Sequence, residues 1–125
     1  SIPVVAQAVN AVNAQRPARE LMQKAIGIHA DAPLPRFESR TARQRLARLP
    51  GPSGSTVATP ETTGRVAVFL TCYGNRNAPA VVEDMVAVFR HNGIEVRLTG
   101  SEVCCGMPKL ELGDLETVAK HKDRN

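Results

Sequence analysis

The sequence has few aromatic residues and no long apolar run. It contains no Trp, one Tyr and three Phe among 125 residues, so the core must be mainly aliphatic and stacking surfaces for nucleic-acid bases are scarce. No stretch approaches the roughly 18–20 apolar residues of a membrane-spanning helix, and no secretory leader stands at the start. We therefore expect a cytoplasmic protein whose contact with lipid is at most peripheral, on the inner face of the cell membrane.

Positive charge is concentrated in the first half of the chain. Residues 1–60 carry eight Lys or Arg against three Asp or Glu, whereas residues 61–125 carry eight against nine. The basic group comprises Arg36, Arg40, Arg43, Arg45 and Arg48. No helix–turn–helix, aromatic pair or Gly-rich RNA motif accompanies it. A solvated or partner-docking segment is favoured over nucleic-acid binding.

The chain has three cysteines, and two of them are adjacent. A disulfide framework needs an even number, and small secreted domains usually have more. Thiolate chemistry in a reducing compartment fits this count better.

Three regions follow from the patterning: a helical arm over 1–49, a Pro/Gly/Ser/Thr-rich linker over 50–63, and a third region over 64–125. The arm is expected to hold helices at 3–15, 17–26 and 39–49. In the last of these helices, only Leu46 and Leu49 could contribute to a face that packs into a core. Because two such residues are too few, we expect this helix to lie on the surface.

The third region predicts a βαβ unit. A continuous apolar run at 65–70 and an alternating one at 94–98 are typical of strands. Between them a helix from about Ala78 to His91 has an apolar face comprising Val82, Met85, Val86 and Phe89. A final helix capped by Asp114 is expected to turn Leu115, Val118 and Ala119 inward. The predicted fold is α/β: a small parallel sheet with flanking helices, preceded by a helical arm.

This topology predicts that the cysteines lie together. Cys72 follows the first strand, and Cys104 and Cys105 follow the second. The loops after parallel neighbouring strands emerge at one edge of the sheet, where open α/β sheets place ligands. Nearby glycines permit close backbone approach, and thiolates are the ligands of iron–sulfur clusters. Space-filling cysteines and a Cys72–Cys104 disulfide stay open as alternatives.

The cysteine spacing Cys72-x31-Cys104-Cys105-Gly106 resembles the first half of a cysteine-rich "CCG" domain. Such domains occur in iron–sulfur subunits of heterodisulfide reductase and of anaerobic glycerol-3-phosphate dehydrogenase. The stretches 69–75, 91–96 and 104–114 carry the resemblance, which covers about residues 64–122. A looser one over 13–49 is similar to the helical segment after a ferredoxin-type module. By this resemblance residues 64–125 are the first part of the domain, truncated before its later cysteines.

The resemblance implies an iron–sulfur electron-transfer subunit of an oxidoreductase complex. Cys72, Cys104 and Cys105 would be cofactor and metal ligands of a 4Fe-4S cluster in the full-length protein, and no other catalytic residue is assigned. The cluster would pass electrons between a flavin dehydrogenase and quinone or another acceptor. The chain by itself is expected to be inactive, and whether it holds the cluster alone is left open. An exposed sheet edge would favour an oligomer.

Three other functions stay open. Cys72 could attack a disulfide that Cys104 or Cys105 then resolves, as in a thiol–disulfide oxidoreductase. The basic arm could make the chain a docking module with structural cysteines. A three-cysteine zinc site is the third, although adjacent ligands fit a tetrahedral site poorly. The scattered His29, His91 and His121 have no metal-site spacing to a cysteine.

Overall fold

A computed structural model describes residues 3–48 and 64–125. The predicted linker at 50–63 lies outside the described residues, so the division of the chain into an arm and a domain stays a prediction. The elements are α1 (Pro3–Asn13), α2 (Arg16–Ile26), α3 (Ala42–Leu46), β1 (Arg65–Val68), α4 (Cys72–Arg76), α5 (Pro79–His91), β2 (Glu95–Leu98), α6 (Met107–Glu111) and α7 (Leu115–Arg124).

The two strands confirm the predicted parallel βαβ unit. β1 pairs with β2 in parallel, with Val66 opposite Val96 and Val68 opposite Leu98. Helix α5 connects them and carries proline in its first turn, where the missing N–H costs no helical hydrogen bond. The described part of the chain is therefore α/β, with a two-stranded parallel sheet, flanking helices and helices preceding it.

The core lies between the sheet, α5 and α3. Val82 and Val86 of α5 are buried against Val68 and Leu70, as the apolar face predicts, and Phe89 packs against them. Met85 is 39% exposed, so it lies outside this core. The exposed aliphatic residues elsewhere are ordinary for a small domain.

Helix α3 has one face buried in the core, so the prediction that it lies on the surface without a core face is wrong. Ala42 is fully buried and Leu46 is 9% exposed, and both belong to the same core cluster as Val68 and Val86. Thr41 and Gln44 form a reciprocal capping box that fixes the start of the helix. The prediction failed because it counted only the large apolar residues, whereas a small Ala42 allows the helix backbone to approach its neighbours closely.

Replacing Leu46 with Ala tests this placement. We expect the free energy of unfolding to fall by about 2–4 kcal/mol, because a buried Leu loses its transfer energy and leaves a cavity. Leu21→Ala on α2 is the matched control, since Leu21 is 67% exposed. Urea unfolding of both variants measures the difference. Equal losses would contradict the burial of α3.

The turn after α2 is held by hydrogen bonds from a buried arginine side chain. Buried Arg19 of α2 donates from Nε to the Ala30 carbonyl at 3.1 Å and from Nη2 to the His29 carbonyl at 3.1 Å. These hydrogen bonds hold the turn after the helix.

Asp114 caps α7 by accepting from the Thr117 N–H at 3.1 Å, as predicted. Leu115 is 63% exposed, so the predicted inward face of α7 is wrong at this position.

Ala119 of the predicted α7 face is also exposed, and Val118 is half-buried. None of the helices within the described ranges is both long and apolar enough to cross a membrane.

Candidate functional site

Cys72 lies in the connection between β1 and α5. A loop was expected there, but Cys72 is the first residue of the short helix α4. Thr71 caps this helix by accepting from the Gly74 N–H at 3.0 Å. A Cβ on Gly74 would lie 3.1 Å from Val82 Cγ2, so glycine allows α4 to pack closely on α5. The Cys72 thiol itself is exposed.

Cys104 and Cys105 lie in the loop between β2 and α6. Cys104 is half-buried and Cys105 is exposed. The Gly106 N–H donates to Cys104 Sγ at 3.5 Å. Asn125 at the end of α7 accepts from the Val103 N–H at 2.9 Å and donates to the Cys104 carbonyl at 3.4 Å. The last helix therefore holds the loop that carries both cysteines.

The topology places both cysteine segments after neighbouring parallel strands. All three cysteines are free thiols, so the Cys72–Cys104 disulfide is not formed in this structure. In the described ranges, no group of three or more His, Cys, Asp or Glu is arranged to hold a metal ion. The role of Cys72, Cys104 and Cys105 as ligands of one cluster therefore stays a prediction.

Glu102 is a residue of this region that the sequence did not single out. Its carboxylate accepts from the Leu70 N–H at 3.2 Å and from the Thr99 hydroxyl. Arg43 Nη2 of α3 approaches its two oxygens at 2.7 and 2.6 Å. Only 11% of the Glu102 side chain is exposed. One carboxylate thus joins the segment after β1, the segment after β2 and α3.

These partners determine the ionisation of Glu102. Burial raises the pKa of its carboxyl, but the hydrogen bonds from Thr99 and Leu70 and the positive Arg43 oppose that effect and leave the net pKa lowered. The carboxylate is therefore the form that the folded chain stabilises. The sequence carried no signal for this, because Arg43 and Glu102 are separated by 59 residues.

The basic group of the first half is only partly solvated. Arg43 is engaged with Glu102, and Arg45 bridges Glu38 at 2.7 Å and Glu83 at 3.2 Å. Through these ion pairs, α3 is connected to α5 and to the segments that contain Glu38 and Glu102. His121 Nδ1 is buried and lies 3.8 Å from where a Cβ on Gly106 would be.

Gly106 is required by the backbone of the cysteine loop. Its φ is +86°, and an added Cβ would meet Val118 at 3.7 Å and His121 Nδ1 at 3.8 Å. These contacts are ordinary, so the cost of Gly106→Ala comes from the left-handed backbone and should be about 1–2 kcal/mol of unfolding free energy.

The matched control is Gly100→Ala, where φ is not positive and no atom lies within 4 Å of the added Cβ. We expect a change within about 0.5 kcal/mol there. Thermal unfolding followed by circular dichroism compares the two. Loss of stability at Gly100 as large as that at Gly106 would contradict the backbone argument.

Comparison with known proteins points to one family. Residues 66–125 match the CCG family, described as a cysteine-rich domain. The chain is 27% identical over 117 residues to the C subunit of anaerobic glycerol-3-phosphate dehydrogenase from Escherichia coli strain K12, covering 94% of this chain and 28% of that protein. No solved structure gives a significant match.

Two further relatives match shorter stretches. Lactate utilization protein A of Shouchella clausii is 34% identical over 59 residues, covering 45% of this chain and 25% of that protein. The B subunit of fumarate reductase (CoM/CoB) from Methanothermobacter marburgensis is 33% identical over 61 residues, covering 49% and 12%. The chain thus spans only 12–28% of the length of these relatives.

Proposed function

Because residues 66–125 belong to the CCG family of cysteine-rich domains, we propose that this chain is part of an iron–sulfur electron-transfer subunit of an oxidoreductase. Cys72, Cys104 and Cys105 are its proposed cluster ligands. The observation that carries the proposal is the parallel pairing of β1 with β2, which sends both cysteine segments to one edge of the sheet.

The chemistry of the donor set fits this cofactor. All three thiols are free, and two of them are exposed to an incoming cluster. Cys104 Sγ already accepts an N–H from Gly106, and such bonds to cluster sulfurs raise the reduction potential by offsetting negative charge. When bound, the cluster supplies one-electron transfer. A 4Fe-4S cluster takes four cysteine ligands in its common form, so a further ligand outside this set completes it.

The names of the relatives support the proposal that this protein works with a redox partner. The Escherichia coli relative is named as a dehydrogenase subunit and the Methanothermobacter one as a fumarate reductase subunit. We propose that this chain receives electrons from a flavin dehydrogenase and passes them to quinone or another acceptor. The proposed location is the cytoplasm, with peripheral contact at the inner face of the cell membrane. Oligomer formation through the exposed sheet edge stays a prediction.

Anaerobic reconstitution of the full-length protein tests the cofactor. Ferrous iron and sulfide are added, excess reagent is removed, and iron, acid-labile sulfide and zinc are measured per chain. We expect iron and sulfide in comparable amounts and an electron paramagnetic resonance signal after reduction. Iron that elutes without sulfide, or tightly bound zinc alone, would overturn the proposal.

Thiol–disulfide exchange is a second candidate, and the exposure of Cys72 and Cys105 favours it. In that reaction the Cys72 thiolate attacks a disulfide sulfur and the displaced thiolate leaves. Cys104 or Cys105 then attacks Cys72 Sγ of the mixed disulfide, so that an internal disulfide forms and the second thiolate leaves; an added thiol reductant returns the protein to its dithiol form. This candidate predicts turnover of a model disulfide by metal-free protein, with loss on Cys72→Ser. A protein that holds a cluster and lacks this turnover excludes it.

A further inference from the structure

Glu102 occupies a position that links the two cysteine segments. Leu70 precedes Cys72 by two residues, and Glu102 precedes Cys104 by two residues. Two residues of extended chain span at most about 7 Å. The bond from the Leu70 N–H to Glu102 Oε1, 3.2 Å long, therefore fixes the distance between points close to both cysteines.

We propose that Glu102 is a positioning residue that holds the segments of Cys72 and Cys104 in register. Its relevance to a cluster rests on the proposed function, whereas its effect on the two thiols does not. Regular strand pairing ends at Val68 and Leu98. Beyond it, Thr99 donates its N–H to the Val68 carbonyl at 3.2 Å, and the next connection between the two segments is the Glu102 carboxylate.

The Thr99 hydroxyl strengthens this connection. It lies 3.3 Å from the Val68 carbonyl and also contacts Glu102 Oε1. The same oxygen of Glu102 accepts from Leu70. Hydrogen bonds to an ionised group are stronger than those between neutral groups. The carboxylate thus extends the β1–β2 connection past the last paired residues and toward the cysteines.

Helix α3 contributes an arginine that contacts both cysteine segments. Arg43 neutralises Glu102 through Nη2, and its backbone N–H donates to Asn75 Oδ1 of α4 at 3.1 Å. One residue therefore contacts both the helix that starts at Cys72 and the carboxylate that precedes Cys104. Burial of Ala42 in the core keeps this residue in place.

Glu83 provides a matched control. It also pairs with an arginine of α3, because Arg45 Nη1 lies 3.2 Å from its carboxylate, and 34% of its side chain is exposed. This ion pair joins α5 to α3 and includes neither cysteine segment. Glu83→Gln removes a charge and an ion pair to the same helix while leaving the Leu70–Glu102 bond intact.

The test measures how often the two thiols come within reach of each other. In a Cys105→Ser background without metal, a short bis-maleimide is added, and peptides joined through Cys72 and Cys104 are quantified by mass spectrometry. Reaction with a single maleimide measures the reactivity of each thiol separately. Circular dichroism establishes that each variant is folded.

We expect Glu102→Gln to lower the cross-linked fraction about tenfold, because the amide lacks the negative charge that strengthens these hydrogen bonds and pairs with Arg43, and that difference amounts to on the order of a factor of ten in an equilibrium constant. Glu83→Gln should leave it unchanged. If Glu102→Gln does not fold, Thr99→Val decides, since it removes one donor and keeps the shape of the side chain; a several-fold decrease is expected.

A folded Glu102→Gln or Thr99→Val protein with the cross-linked fraction of the parent would overturn the positioning role. In reconstituted protein, Glu102→Gln should also change the electron paramagnetic resonance line shape, while Glu83→Gln should not. A loss of cross-linking in protein that never binds iron would keep the positioning role and reject the proposed function. The two failures are therefore distinguishable.

Discussion

Replacing Cys105 with Ser is expected to remove the iron–sulfur cluster from the reconstituted protein. Changing a residue that only supports a metal ligand typically costs 10–100-fold in affinity, so loss of a ligand itself should cost at least about 100-fold. A serine hydroxyl is far less acidic than a thiol, so it supplies no anion to the iron at neutral pH. Iron and acid-labile sulfide per chain measure the effect.

The position of Cys105 makes the substitution informative. The residue is exposed, so the folded chain should tolerate a smaller polar side chain there without loss of stability. Tyr73→Phe is the control, because Tyr73 is adjacent to Cys72 and 57% exposed. It should retain the full iron content. A Cys105→Ser protein with the iron and sulfide of the parent would contradict the ligand assignment.

Placing a charge at Ala42 is expected to have the largest effect on stability. Ala42 is fully buried in the cluster that contains Leu46, Val68 and Val86. A glutamate there would place a carboxylate in this apolar environment, and an uncompensated buried charge costs about 3–5 kcal/mol. That is a large share of the roughly 5–15 kcal/mol that stabilises a typical domain.

Ala47→Glu is the control, since Ala47 is exposed at the end of the same helix. A negative charge near a helix C-terminus should cost no more than about 1 kcal/mol. Urea unfolding, with midpoint and slope compared between the two variants, gives the difference. Similar midpoints would show that α3 does not belong to the core.

The sequence predicted those parts of the fold that depend on short-range patterns. The apolar run beginning at Arg65 and the alternation at 94–98 correspond to β1 and β2. The helix expected from about Ala78 to His91 corresponds to α5. Asp114 as a cap needed only local hydrogen-bonding chemistry.

Two of the errors, at α3 and at Leu115, arose where distant residues decide the outcome. Whether Ala42 is buried depends on packing against β1 and α5, which a five-residue helix cannot reveal from its own pattern. Leu115 had a plausible helical spacing, but nothing in the described structure covers it, and it stays 63% exposed. A third error had a local cause: the loop expected to contain Cys72 is the helix α4, and its cap Thr71 was a signal that the sequence did contain.

In the candidate site too, local sequence features were predictable and contacts between distant residues were not. Cys72, Cys104 and Cys105 were identifiable because residue type and spacing are local properties. The pairing of Glu102 with Arg43 was not, since it forms only when α3 packs against α4 and α5. His121 likewise comes close to Gly106 only because the folded chain brings α7 beside the cysteine loop.

The claim that all three cysteines belong to one cluster is tested most directly by their reactivity toward iodoacetamide. The iron-loaded and metal-free proteins are alkylated anaerobically, and each cysteine is compared with itself by peptide mass spectrometry. We predict that Cys72, Cys104 and Cys105 become unreactive together on loading and recover together when iron is chelated. A cysteine alkylated at the same rate in both forms would contradict the single site.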